Sequence, residues 1–129
     1  MKFEVVIVGA GVIGLAIARS LSKNYKILII EKESTFGTET SSRNSSVIHA
    51  GIYYPHLSLK SKFCKNGNEA LYKYLKEKRI QFNKCGKLIV SSNCDEDLKL
   101  KEIKKKAILN KINLKYLNKE ETKRIEPQL

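Results

Sequence analysis

The hydrophobic pattern of the first thirty residues differs from that of the rest of the chain. Phe3–Val8 is a short β-branched apolar run with no helical period, which predicts a buried strand. Gly9-Ala10-Gly11-Val12-Ile13-Gly14 follows at once. Leu15–Lys23 then reads as a helix with Ala16 and Ala18 as its small face, and Lys26–Ile30 predicts a second buried strand ending at Glu31. Strand, Gly-rich turn, helix and strand within about thirty residues make up a βαβ unit. Its two strands are expected to be parallel, joined by a right-handed crossover.

Beyond Glu31 the pattern becomes helical and lysine-rich. Ser34–Ser46 is rich in Ser, Thr, Gly and Asn and predicts a loop or a short capped turn. Val47–Tyr54 is apolar and aromatic, contains Gly51 and is stopped by Pro55. Leu59–Arg79 carries Phe63, Ala70, Leu71, Tyr74 and Leu75 near helical spacing, interrupted by Gly67, with Lys on the other face. Ile80–Asn83 and Lys87–Ser91 are strand candidates flanking Cys85-Gly86. Asp95–Asn110 predicts an amphipathic helix with Leu98, Ile103, Ala107 and Ile108 as its buried stripe, its N-terminal dipole complemented by Asp95, Glu96 and Asp97. Asn113–Leu117 is a last strand candidate, and Asn118 is placed to cap a short closing helix.

Composition narrows the class. At 129 residues the chain suits one domain, and 42% apolar with 29% charged residues is ordinary for a globular protein. Disordered, collagen-like and disulfide-scaffold classes are thereby excluded. Cys64, Cys85 and Cys94 match no C-x-x-C zinc or redox spacing, so no metal site is expected, and three scattered thiols suit a reducing cytoplasm. The net charge of +12 raises an alternative function, a basic module for nucleic acid or an anionic surface. Its make-up weakens that reading, because 21 of the 25 basic residues are Lys and only 4 are Arg, the better reader of phosphates and bases. The charge is also uneven: residues 1–56 hold six basic and four acidic residues, while residues 57–129 hold nineteen and nine. Lys99–Lys111, with Lys101, Lys104, Lys105 and Lys106, lacks interleaved aromatics or arginines and reads as a solvated helix face. The apolar run Val5–Ala18 is shorter than the ~20 residues a membrane span needs. Glu4, the regular glycines and Arg19 disfavour a secretory leader. A cytoplasmic location is expected, with at most peripheral contact at the inner face of the membrane and no specific nucleic acid.

The Gly9-x-Gly11-x-x-Gly14 run carries the clearest chemistry. Gly9 permits the tight turn out of the strand, Gly11 lets a pyrophosphate approach the backbone, and Gly14 lets the helix pack closely on the sheet. The helix N-terminus offers free N–H groups and partial positive charge to phosphates. Glu31, 17 residues beyond Gly14, ends the second strand, where its carboxylate can accept hydrogen bonds from an adenosine ribose and repel the 2′-phosphate of NADP. The competing reading is a βαβ unit with incidental glycines. The fingerprint alone does not separate FAD from NAD.

The next segment makes that distinction by resemblance. Thr40-Ser41-Ser42-Arg43-Asn44-Ser45-Ser46-Val47-Ile48-His49-Ala50-Gly51-Ile52-Tyr53-Tyr54 resembles an FAD-contacting segment of the D-amino-acid-oxidase-like flavoproteins. More narrowly it resembles the L-2-hydroxyglutarate dehydrogenases (oxidases), whose pattern is N-S-G-V-I-H-[AS]-G-[IV]-Y-Y. The likeness continues through Ser58-Leu59-Lys60, Phe63-Cys64 and Gly67, through Cys85-Gly86-Lys87-Leu88-Ile89-Val90, and through Arg124-Ile125-Glu126-Pro127. It departs at Ser42-Arg43, where the family has Gly-His, and at Ser46, where it has Gly. Family members are also far longer than this chain, which resembles their N-terminal portion.

The resemblance implies an α/β fold: an FAD-binding Rossmann-like βαβ domain, incomplete, with the start of a substrate-domain β element. It implies a dinucleotide-binding core over about 1–56 and helices and strands leading to the substrate domain over about 57–129. The cofactor implied is FAD, with Gly9, Gly11, Gly14, Glu31, Ser41, Ser42, Asn44, Ser45 and Gly51 as its contacts. The reaction implied is flavin-dependent oxidation of L-2-hydroxyglutarate to 2-oxoglutarate. His49 is the candidate for polarising the flavin or taking the hydroxyl proton, against a plain packing role, and Arg43 for holding a substrate carboxylate, against a solvated charge. Two further expectations follow from length: a truncated or split enzyme completed by a separately encoded C-terminal portion, or an inactive fragment of a degraded gene.

Overall fold

In the computed structural model, which describes residues 2–129, the chain divides into two compact units, one reaching to Val47 and one from Ile48 to Leu129. The first holds strand β1 (Val5–Val8), helix α1 (Val12–Leu21), strand β2 (Ile27–Ile30) and a 3-10 turn at Thr40–Arg43. β1 and β2 are parallel, in register from Val5↔Ile27 to Val8↔Ile30. Hydrogen bonds from the Gly9 N–H to the Ile30 carbonyl (2.7 Å) and from the Glu4 N–H to the Lys26 carbonyl (2.9 Å) extend the ladder at both ends. The Glu4 carboxylate accepts the Lys26 N–H at 2.9 Å. The expected strand–turn–helix–strand unit is therefore formed.

Two expectations about this unit are corrected. The apolar runs predict strands buried on both faces, yet Val6 is 53% and Val8 84% exposed, while Val5 and Ile7 are half-buried. One face of the pair packs against α1 and the other is open among the described residues. The α1 stripe is Gly14, Leu15, Ala18 and Leu21, the one-turn spacing of a helix laid on a sheet; Ala16 is exposed.

The second unit is helical: α2 (Leu59–Glu77), α3 (Cys94–Leu109) and α4 (Lys119–Ile125). Side-chain caps start all three. Ser58 accepts the Ser61 N–H, Asn93 accepts the Glu96 N–H, and Asn118 forms a reciprocal capping box with Glu121. Gly67 does not interrupt α2. α2 and α3 both end in Schellman motifs. The N–H of Ile80 bonds the Leu75 carbonyl and that of Ile112 the Ala107 carbonyl, which puts Arg79 and Lys111 at the left-handed position that glycine usually takes.

The buried stripes differ from the expected ones. α3 turns half-buried Leu100 and Ile103 and buried Ala107 inward, followed by buried Asn110 just past its end, while Leu98 and Ile108 are exposed. α2 turns Ser61, Cys64, Asn68, Tyr72 and Leu75 inward and leaves Phe63, Ala70 and Leu71 outside. Residues 80–83, 87–91 and 113–117, expected as strands, form no ladder. The first of these is held instead by side chains: Phe82 meets Tyr72 edge to face with centroids 5.2 Å apart, and Lys84 Nζ lies 4.9 Å from the Tyr72 ring centroid. All three cysteines are free thiols, and no helix among the described residues is long and apolar enough to cross a membrane.

Candidate functional site

The first unit contains an open cleft of about 290 Å³ at the carboxyl end of its two strands, bounded by Gly9, Gly11, Glu31, Gly37 and Ser41 among others. Parallel α/β units bind ligands at this end of the sheet. Gly9 adopts φ +101°, a conformation open to glycine and strained for other residues, and so turns the chain from β1 into α1. A Cβ on Gly14 would fall inside the radius of the Gly9 carbonyl oxygen and 3.4 Å from Ile7 Cγ2, so its hydrogen is what lets α1 lie on β1. A Cβ on Gly11 would meet only the Ser41 hydroxyl, at 3.2 Å. Gly14 thus serves packing, and Gly11 keeps the cleft floor bare.

Several N–H groups around the glycine-rich turn and the end of β2 have local partners. The Val12 N–H donates to Ser41 Oγ at 2.9 Å. The Ala10 N–H donates to Glu31 Oε2 at 2.7 Å, and the Lys32 and Glu33 N–H groups donate to Glu31 Oε1 at 2.8 and 3.1 Å. These bonds, the one from Ala10 foremost, hold the Glu31 carboxyl below its usual pKa. A carboxylate has about four lone-pair sites, so roughly one on Oε2 stays open for a further donor. Gly37 donates its N–H to the Ala10 carbonyl at 3.0 Å, tying the loop after β2 back over the turn.

Sequence reading did not anticipate the charge pair on the cleft wall. Lys32 Nζ lies 2.6 Å from Glu39 and 3.5 Å from Glu33. The pair raises the Lys32 pKa and lowers that of Glu39, each chiefly through their shared hydrogen bond. Opposite charges seven residues apart in a loop were the available signal, but nothing in a loop's sequence says that its ends fold back on each other.

Gly9, Gly11, Glu31 and Ser41 therefore line one cleft, with Gly14 beneath it. Ser42 and Asn44 turn to their own backbone. Ser42 Oγ lies 2.7 Å from both the Thr38 and Glu39 carbonyls, which share its single proton. Asn44 Nδ2 donates to the Ser41 carbonyl at 2.6 Å, and Asn44 Oδ1 accepts the Ser46 N–H at 2.7 Å. Ser45 is exposed. Arg43 borders a second depression with Glu33, Thr38, Glu39 and Thr40.

His49 and Gly51 lie in the second unit. His49 is exposed, and its carbonyl accepts Asn68 Nδ2 at 3.1 Å and the Cys64 thiol at 3.4 Å. Gly51 is buried at φ +82°, where a Cβ would stand 3.3 Å from that of Cys64. His56 and Asn110, which sequence reading gave no site role, bond to each other at 3.2 Å.

The cleft's donor set fits a dinucleotide pyrophosphate and ribose: a bare glycine floor, a helix N-terminus and a fixed carboxylate. Comparison with known proteins agrees with that fit. The model of the DAO family, FAD dependent oxidoreductase, matches residues 4–129. The mitochondrial L-2-hydroxyglutarate dehydrogenase of Arabidopsis thaliana is 49% identical over 99% of this chain, and that of Dictyostelium discoideum 43% over 97%. This chain spans only 27% and 29% of those two relatives. Among solved structures, the dithionite-reduced L-alpha-glycerophosphate oxidase of Mycoplasma pneumoniae with FAD bound superposes with a TM-score of 0.85 at 40% identity. The match covers 98% of this chain and 35% of that one. The chain belongs to the FAD dependent oxidoreductase (DAO) family.

Proposed function

We propose that the chain binds FAD and supplies this part of a flavin-dependent oxidation of an L-2-hydroxy acid, with L-2-hydroxyglutarate as substrate. The observation that carries the cofactor is the cleft over Gly11, where an added Cβ would meet only the Ser41 hydroxyl while Glu31 is pinned at the end of β2. The substrate rests on the dehydrogenases at 43–49% identity.

In this reading Gly11 and the N–H groups of the first turn of α1 hold the pyrophosphate, and Ser41 Oγ gives up Val12 to a phosphate oxygen. Glu31, kept ionised by its three N–H donors, accepts one ribose hydroxyl and repels a 2′-phosphate. Bound there, FAD would supply the two-electron acceptor for substrate oxidation. Ser42 and Asn44 shape the following turn through their own hydrogen bonds, and together with Ser45 are proposed as further FAD contacts. From the sequence resemblance His49 is proposed to polarise the flavin or take the hydroxyl proton and Gly51 to contact the same cofactor, while Arg43, where the chain departs from the family, is proposed on its charge to hold a substrate carboxylate. Turnover requires polypeptide equivalent to the remainder of the matched relatives, since walls around the reacting atoms provide the geometry and fixed charge that speed hydride transfer.

Dialysis of the chain against FAD, NAD and NADP tests the cofactor. Retention of FAD in preference to both is expected, and a preference for NADP would refute the role given to Glu31. A dye-linked assay with L-2-hydroxyglutarate and with L-alpha-glycerophosphate, on the chain alone and complemented by the rest of a relative, tests the reaction. Turnover of the hydroxy acid only after complementation is expected. Turnover of the glycerophosphate alone would contradict the substrate.

A further inference from the structure

Asn110 is 6% exposed, one of two buried polar residues among those described. As the residue after α3 it would ordinarily be read as a helix cap, but its side chain does no capping. The helix end is closed by backbone alone, through the N–H groups of Asn110, Lys111 and Ile112. The carboxamide reaches back 56 residues instead. Its Nδ2 donates to the Tyr54 carbonyl at 2.9 Å and, at 3.5 Å, to the Gly51 carbonyl. These two acceptors fix which end of the amide is nitrogen, so Oδ1 faces His56 Nδ1 at 3.2 Å and that ring nitrogen must carry the proton.

We propose that Asn110 is the positioning residue of the Gly51–Tyr54 segment. This rests on the reading that the segment serves the flavin. The segment has no ladder of its own. Ile52 is buried and Gly51 presses on Cys64 of α2, but its backbone path between Gly51 and Tyr54 is pinned at both ends by one carboxamide. A buried amide that loses its acceptors, or carbonyls that lose their donor, pay a desolvation cost that neighbouring apolar contacts do not restore. His56 supplies only the third arm, satisfying Oδ1.

The test uses the full chain, ¹⁵N-labelled, as parent, Asn110→Ala, Asn110→Asp and His56→Ala. Backbone order parameters are read across residues 50–56 and α3, and FAD affinity is read by titration. Asn110→Asp keeps an acceptor for His56 and loses the donor. Both Asn110 variants should lose order in residues 50–56 while α3 keeps its order, with FAD bound about tenfold more weakly, the scale of one buried hydrogen bond. His56→Ala should leave the order of residues 51–54 near the parent's, and in the parent His56 should show a protonated Nδ1. Order lost equally along α3 would make Asn110 a general stability residue and overturn the proposal. So would an Asn110→Ala chain with parental loop order and parental FAD affinity, with the FAD reading left standing. A parent chain that binds no FAD would overturn both.

Discussion

Gly14 and Gly67 are both helical glycines, and substituting each by Ala should change stability in opposite directions. In an exposed helix interior, Gly to Ala gains roughly 1 kcal/mol from lost unfolded-state freedom. Gly67 in α2 is such a site, since an added Cβ would meet nothing within 4 Å. Gly67→Ala should therefore stabilise by about 0.8–1 kcal/mol. Gly14 has the same propensity gain available, but its Cβ would overlap the Gly9 carbonyl oxygen and touch Ile7 Cγ2 at 3.4 Å. That oxygen belongs to the backbone at the turn, where the Gly9 N–H is bonded to Ile30, so it cannot swing aside as a side chain would. Overpacking of this kind costs about 1–3 kcal/mol, with rigid neighbours at the upper end. The net for Gly14→Ala is a loss of roughly 1–2 kcal/mol after the propensity gain is subtracted. Urea unfolding followed by far-ultraviolet circular dichroism measures both variants, with midpoints compared at constant m value. A rise in midpoint for Gly14→Ala, matching that for Gly67→Ala, would refute the packing role given to Gly14.

Ser46 sits at φ +54° and Lys111 at φ +57°, where a side chain costs on the order of 1 kcal/mol. Ser46→Gly and Lys111→Gly should each raise the melting temperature slightly, and unchanged or lower values would show that the left-handed backbone there is not strained. Because the native state depresses the Glu31 pKa, its stabilisation is present above the ordinary glutamate value of about 4.3 and is lost as pH falls through the lower folded value. Parent should thus be more stable than Glu31→Gln at neutral pH, with the gap closing below about pH 4; a gap independent of pH would contradict the Ala10–Glu31 bond. Binding of duplex DNA through the lysines of residues 57–129 should fade steeply between low and physiological salt, and persistence would revive the basic-module alternative.

The βαβ unit was legible because its signals are local: a β-branched run, glycines at fixed offsets, and an acidic residue where the second strand ends. Helix starts were legible for the same reason, Asn118 with Glu121 being a complete capping box in four residues. The helix faces were not. Phe63 and Leu71 on α2 look like core by spacing, yet the inward face is Ser61, Cys64, Asn68 and Tyr72, because the loop from His49 to Tyr54 is what α2 covers. Short apolar runs such as residues 80–83 carry no period that separates a strand from an extended segment fixed by side chains. In the cleft, Gly9, Gly11 and Glu31 came from the motif, whereas the Ser41 bond to Val12 and the Lys32–Glu39 pair depend on how the loop after β2 folds over the turn. Asn110 was invisible for a similar reason: its partners are more than fifty residues away.

Calorimetric titration of FAD into the parent chain and into Gly11→Val is the most direct test of the cleft as the cofactor site. Gly11 has φ −74°, which valine tolerates, and the added Cβ would meet only the end of Ser41, so the fold should persist with an unchanged circular dichroism spectrum. Its methyl groups would fill the space left for the pyrophosphate. The expected result is saturable FAD binding by the parent and none by the variant. Equal FAD affinity in the two chains, with identical spectra, would show that the glycine-rich turn does not hold the cofactor.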